Sequence, residues 1–268
     1  MDPDDAELGA TLAAWLTAQA ARDPRRLRFG ARRHAYRLGP PLAVDVVAAF
    51  EADVGTVVPV AYRRFVTEVG HAGAGPFHGL WPLDHPQQRA CARGAFDPDA
   101  PGVALYRGVI ALGHVGCGQL ALLVVQGAHA GEVWIDARAA DAGVVRAVPD
   151  FTSYYRAWID ALTRDELLRG VAPPGACPLP RALSQYLAQY EARAGVAPGA
   201  LAPAELRVAF TRLPVGAIRC EATGDDPFFA PGTSLDRCPN CALMLGQLEA
   251  SGLAPDRVVE GENWPLAT

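Results

Sequence analysis

Lysine is missing from this chain altogether: all 24 of its cationic side chains are arginine, set against 29 acidic ones for a formal net charge of −5. The missing lysine reads as coding bias rather than a physical device. The mild acidity is a poor match to a polyanion, so nucleic acid is not expected as the main ligand, whereas docking against a basic protein would suit it. Long apolar runs are also absent. None approaches the roughly 18 residues that cross a bilayer; the run Gln119 to Val125 is strand-length, and Val44 to Phe50 is interrupted by Asp45. The opening MDPDDAELGA has neither the basic start nor the apolar centre of a secretory signal. No membrane association and a cytoplasmic location are therefore expected. Six unevenly spread cysteines in 268 residues do not make a disulfide framework, and in a reducing compartment they stay thiols or bind metal. No GxSxG elbow, GxxxxGK[ST] loop or HExxH pair occurs, which removes the commonest hydrolase, phosphate-cradling and metalloprotease signatures.

What is present is a scaffold centred on residues 108–138, GVIALGHVGCGQLALLVVQGAHAGEVWIDAR. Three short runs rich in Val, Ile and Leu are separated by glycine clusters, as strands joined by turns would be. The segments around it read as helices that cover a sheet. Asp4 and Asp5 cap a helix with Leu8, Leu12, Trp15 and Leu16 on one face. The arginines between Arg22 and Arg37 read as a solvated connector, because no aromatic stacking pattern accompanies them. Two further helices are expected, one ending at Gly55 and one running from Pro59 to Gly70, packed as a near-antiparallel pair. A strand is expected near Phe77 to Leu83, and residues 84–102 read as a loop. Asp150 caps a helix whose Phe151, Tyr154, Tyr155, Trp158, Ile159 and Leu162 form one continuous stripe, which is core rather than a ligand box. The Pro- and Gly-rich stretch up to Pro180 marks a boundary. The division drawn is a helix and arginine-rich connector at 1–35, a main domain at 36–168, a linker at 169–180 and an accessory segment at 181–268. In that last part helices are expected around Leu183 to Tyr190, over Pro203 to Phe210 and from Cys238 to Ala250, with a strand at Val215 to Glu221.

Three groups of residues carry chemistry. His114 and Cys117 are close enough in sequence to suggest a thiolate-imidazole pair, though both fall on a glycine-rich turn. His71, His78 and His85 cluster with Asp84 around one loop and read as ordinary loop histidines rather than ligands. Cys238-Pro-Asn-Cys241 places two thiols at the mouth of a helix, whose dipole favours thiolates. With Cys220 and Cys177 they make a tetrahedral all-sulfur zinc site that would staple a small subdomain. Two alternatives stand beside it: inert reduced thiols, and redox work of the CxxC kind, which needs a βαβ context not found here.

The ordered features from Tyr36 to Leu162 resemble the SUKH superfamily, named partly for the Smi/Knr cell-wall regulators. The resemblance rests on YRLGPPL, the Phe50-Glu51 and Gly55 helix end, Val58-Pro59 leading to Tyr62-Arg63 and Phe65, and Val69-Gly70. It continues through GAGPFHGLWPL, GVIALGHVGCGQLALLVVQG and GEVWIDAR to the helix of Tyr154, Tyr155 and Trp158. His71, where relatives carry asparagine, and His78 depart from it. The resemblance implies an α+β fold, a mostly antiparallel sheet flanked by helices, here with an N-terminal helical arm and a small C-terminal accessory segment. It implies a non-enzymatic immunity protein that occludes a cognate toxin, with no catalytic residue. The alternatives are a regulatory or scaffold protein with no toxin partner, and an enzyme using His114 and Cys117.

Overall fold

The computed structural model describes residues 3–172, 176–212, 220–224 and 226–250. The N-terminal half contributes helices α1 (Pro3–Arg22), α2 (Ala31–His34), α3 (Val44–Val54), α4 (Val60–Arg64) and α5 (Pro86–Cys91), with α4 continued by a π-turn over Phe65–Val69. Two short strands, β1 (Leu38–Gly39) and β2 (His71–Gly73), pair antiparallel among them. The main sheet follows: β3 (Val109–Gly116), β4 (Gln119–Val124), β5 (Val133–Asp136) and β6 (Val144–Val148), hydrogen-bonded in that order, all antiparallel. Helix α6 (Phe151–Thr163) completes this half. The C-terminal part holds α7 (Pro178–Ala194), α8 (Pro203–Arg212), the paired β7 (Cys220–Glu221) and β8 (Ser234–Leu235), and α9 (Pro239–Ala250). This is the α+β architecture of antiparallel sheets flanked by helices that the sequence led us to expect.

Why β3 and β4 read as unbroken apolar runs follows from where they lie. Every residue of both strands is buried. Side chains alternate across a strand, and here each face has its own cover. Ile110, Leu112, Ala121, Leu123 and Ile135 pack toward Val47, Phe50, Tyr62, Tyr154 and Trp158. On the opposite face Val109, Ala111, Leu120, Leu122 and Val124 pack with Leu179, Leu183, Phe228, Phe229, Leu235 and Cys238. A sheet covered on both faces has no polar face to alternate with. The N-terminal helices therefore form one outer layer and the C-terminal segments the other.

The aromatic stripe is core, as expected. Asp150 caps α6 by accepting the Ser153 amide at 2.7 Å, and Tyr155 donates its hydroxyl to the Ala74 carbonyl at 3.0 Å. Trp158 meets Trp15, His34 and Tyr155 edge-on.

Several local expectations change. Phe77 to Leu83 forms no strand, since Pro76 precedes it, Pro82 interrupts it and Phe77 takes a φ of +55°; Leu80 makes an isolated bridge to Gly73 and the Trp81 amide bonds to the Leu112 carbonyl at 2.8 Å. The expected loop at 84–102 contains α5, begun by Pro86 with His85 Nδ1 accepting the Gln87 amide. Buried Gln88 projects from it and bonds both the amide and the carbonyl of Ala111, at 2.9 and 2.7 Å. Strand β6 went unforeseen because it is half-exposed and short. Of the expected strand at Val215 to Glu221, residues 215–219 lie outside the described residues, and the last two form β7. No described helix is long and apolar enough to cross a membrane.

Candidate metal centre

The turn between β3 and β4 is two residues long, Cys117 and Gly118, with φ of +53° and +79°. Two consecutive left-handed residues make the hairpin turn whose twist matches its strands. Glycine or asparagine usually occupies such positions, so a cysteine there is held against a modest backbone preference. Gly116, just before it, is required by a close approach. A Cβ on Gly116 would lie 2.3 Å from the Arg237 carbonyl oxygen and 2.4 Å from the Cys238 Cα. The chain segment entering α9 thus rests directly on the hairpin.

Three further bonds hold that segment in place. The Cys117 amide donates to the Asp236 carbonyl at 2.6 Å. His78 donates through Nε2 to the Arg237 carbonyl at 2.8 Å, and the Arg33 Nε donates to the Asp236 carboxylate at 2.8 Å. The pairing of Arg33 with Asp236 is largely shielded from solvent on both sides.

Four thiols meet at this junction. Cys117 comes from the hairpin, Cys177 stands immediately ahead of α7, Cys238 immediately ahead of α9, and Cys241 lies in the first turn of α9. Their sulfurs all lie within 4.8 Å of one another and all four residues are buried. Cys177 and Cys238 are 3.1 Å apart, Cys117 and Cys241 are 3.5 Å apart, and the Cys238 amide points at the Cys117 sulfur at 3.3 Å. Gln119 Nε2 approaches the Cys177 sulfur at 3.7 Å, and Asn240 ties α9 to the Ala172 carbonyl at 2.7 Å.

The electrostatics follow from the packing. Hydrogen bonding from Cys117 and then Cys177 and Cys241 pushes the Cys238 thiol below its ordinary range; Cys117 and then Cys238 push Cys177 up, and Cys117, Cys177 and Cys238 push Cys241 up. The four thiols titrate together as one group, in which Cys238 is more favoured to ionise than Cys177 or Cys241. A cation at the centre would release the protons the group still holds, as metal binding by thiols does. The donor set fits zinc: Zn–S bonds of about 2.3 Å in a tetrahedron put sulfurs roughly 3.8 Å apart. The sulfurs, 3.1 and 3.5 Å apart in the two closest pairs and all within 4.8 Å, bracket that spacing.

Of the sequence-expected ligands, Cys177, Cys238 and Cys241 are brought together. Cys220 pairs through its backbone with Leu235, and its side chain lies outside the described part of the structure. The member not foreseen in that role is Cys117, more than a hundred residues before Cys238. The one available signal was Gly116-Cys117-Gly118, an unusual residue at a hairpin tip. His114 does not form the thiolate-imidazole pair weighed as an alternative: its Nε2 accepts from the Gly118 amide at 3.3 Å and its ring stacks on His78 at 5.6 Å. Burial keeps both imidazoles neutral, their pKa values lowered chiefly by desolvation. His78, His114 and Asp236 form a second ligand-rich group, but Arg33 already occupies the carboxylate. His71 and His85 do not join it, since His71 donates to Pro40 and His85 caps α5.

Beside the thiols lies a cavity of about 450 Å³ lined by Tyr106, Cys117, Asp136, Arg138, Glu221 and Asp226, among others. Asp136 is committed within it, accepting from Tyr106 at 2.6 Å and from Arg138 at 2.8 Å.

No curated protein and no solved structure matches the chain. The expectation of a SUKH-type immunity or regulatory protein without catalysis is overturned by the family comparison. The features behind it are a both-faces-covered sheet and an aromatic helix, which packing alone accounts for, and of the four thiols they include only Cys117. Over residues 126–250, which include Cys177, Cys238 and Cys241, the chain matches the family model described as YwqJ-like deaminase.

Proposed function

We propose that this protein is a zinc-dependent deaminase acting on the amino group of a free nucleobase or nucleoside. The observation that carries the reading is the convergence of Cys177 with Cys238 and Cys241, the two-plus-one thiolate set that zinc deaminases use, inside the matched segment. Zinc held there would supply the Lewis acidity that makes water a nucleophile near neutral pH.

The chain's own residues supply the rest. Cys238 stands at the positive end of α9, which adds to the downward push on its thiol, whereas at Cys177 the dipole of α7 works against the upward push from its sulfur neighbours. The neighbouring cavity, at about 450 Å³, is of the size that small ligands occupy. Its carboxylates, Asp136, Glu221 and Asp226, oppose a phosphate-rich ligand, so a polynucleotide fits less well than a free base or nucleoside. The class signature pairs the first ligand with a glutamate two residues later, which moves the proton, and places proline before the CxxC. Here Leu179, buried, follows Cys177, and Arg237 precedes Cys238. Proton transfer therefore falls to a carboxylate lining the cavity. Asp136 is held by Arg138 and Tyr106; Glu221 and Asp226, the latter accepting the Phe228 and Phe229 amides, are the two we carry to the test.

The test is ammonia release by the full-length, zinc-loaded protein from cytosine, cytidine, adenine and adenosine. Slow release is expected from one of them, abolished in Cys238→Ser and reduced at least tenfold in Glu221→Gln or Asp226→Asn. Release from wild type no faster than from Cys238→Ser overturns the proposal.

A further inference from the structure

We propose that Cys117 is a fourth thiolate ligand that closes the metal site, so that the protein rests in a latent form until the hairpin and the mouth of α9 part. The inference rests on the deaminase reading above and concerns how that same site is regulated.

Three observations carry it. Cys117 comes from outside the matched segment 126–250, from a different layer of the molecule than the other three thiols. It is completely buried, its sulfur 3.5 Å from that of Cys241 and facing the Cys238 amide at 3.3 Å. It also holds a left-handed backbone, φ +53°, in a turn where glycine would sit without strain. Closed tetrahedral sulfur sites are structural, whereas catalytic zinc sites keep one position free for water or substrate. With Cys117 in place, no position is free.

The clamp that holds Cys117 there is the set of bonds described above: Cys117 to Asp236, His78 to Arg237 and Arg33 to Asp236. They join the hairpin tip, the loop of His78 and helix α2 to the segment that enters α9. Loosening them moves the fourth sulfur and the other thiols apart together. On leaving, the Cys117 thiolate takes up a proton from solvent, water enters the vacated position, and no redox partner is needed.

The experiment compares full-length wild type with Cys117→Gly, which suits the left-handed turn, and Cys117→Ser. Each is loaded with cobalt(II) for optical spectra and with zinc for X-ray absorption, and ammonia release is measured alongside. The expected result is four sulfurs per metal in wild type, three sulfurs plus one lighter atom in both variants, and turnover at least tenfold higher in Cys117→Gly. Three sulfurs in wild type overturns the inference and leaves the deaminase reading standing. Four sulfurs in wild type with no rise in turnover on opening the site overturns the latency. No stoichiometric metal in any of the three proteins overturns the metal centre itself, and the deaminase reading with it.

Discussion

Gly116→Ala tests whether the hairpin tip is the seat on which the thiol cluster is assembled. The new Cβ would sit 2.3 Å from the Arg237 carbonyl oxygen and 2.4 Å from the Cys238 Cα, where contacts below 3.0 Å force something to shift. Both neighbours are backbone, so no side chain can swing away. The segment has to retreat by about 0.7 Å, while metal-ligand distances tolerate only about ±0.2 Å. The φ of +116° at Gly116 adds strain for any residue with a side chain, of order 1–2 kcal/mol. The same retreat lengthens the contact between Cys117 and Cys238, so the sulfur set cannot close on one ion. Zinc affinity should fall at least a hundredfold, equivalent to about 2.7 kcal/mol at 1.36 kcal/mol per decade. Competition titration with a chromophoric chelator reads the affinity, and near-ultraviolet dichroism checks that the aromatic face around Trp158 is intact. A variant that binds zinc within threefold of wild type refutes the claim that the α9 mouth rests on this glycine.

The remaining predictions concern the two cores. His34 is buried, Nδ1 accepting from the Tyr36 amide and Nε2 without a partner, and burial lowers its pKa from 6.5 to about 3. It is neutral when folded, while the unfolded chain takes up a proton below about 6.5. Its contribution is therefore complete above that pH and is lost as pH falls toward 3. About 2 kcal/mol should be gone at pH 5, and urea melts at pH 7 and 5 should show His34→Leu with a slope flatter by close to one proton. Gln88→Leu leaves both polar groups of Ala111 unmet on a buried strand and should cost about 2–4 kcal/mol in the same assay. A loss under 0.5 kcal/mol contradicts that bonding. Chelation of zinc should change the emission of Trp81, which packs on Phe228 and Phe229, more than that of Trp158. Single-tryptophan variants retaining one or the other would show the reverse if the cluster were not coupled to the C-terminal layer.

How far the sequence reached follows from which interactions are local. The helices of Phe50 and Trp158 were legible because their periodicity comes with a local end signal, Gly55 after the first and the Asp150 cap before the second. Strands β3 to β5 were legible because glycines bound their apolar runs. Strand β6 escaped because Val144–Val148 shows no clear burial alternation. Helix α5 escaped because it is a single short segment fixed by Gln88 reaching to Ala111, a contact no spacing reveals. At the site, Cys238 and Cys241 were legible from CxxC and a helix start. The role of Cys117 was not, since it depends on the hairpin tip meeting a segment more than a hundred residues later. The continuous apolar character of Leu120 to Val124 signalled that something covered the second face, but not that the covering layer was the one holding the thiols.

That two-sided burial bears on how the chain can be divided. Cutting after α6 would strip Leu120, Leu122 and Val124 of their partners and leave a flat greasy slab facing water, a surface on which copies would stick together. The front portion is thus expected to precipitate when expressed by itself and to be rescued by supplying the back portion in trans. Anyone excising the matched segment would meet the mirror problem, because the first two strands of the platform on which it is built lie upstream of it.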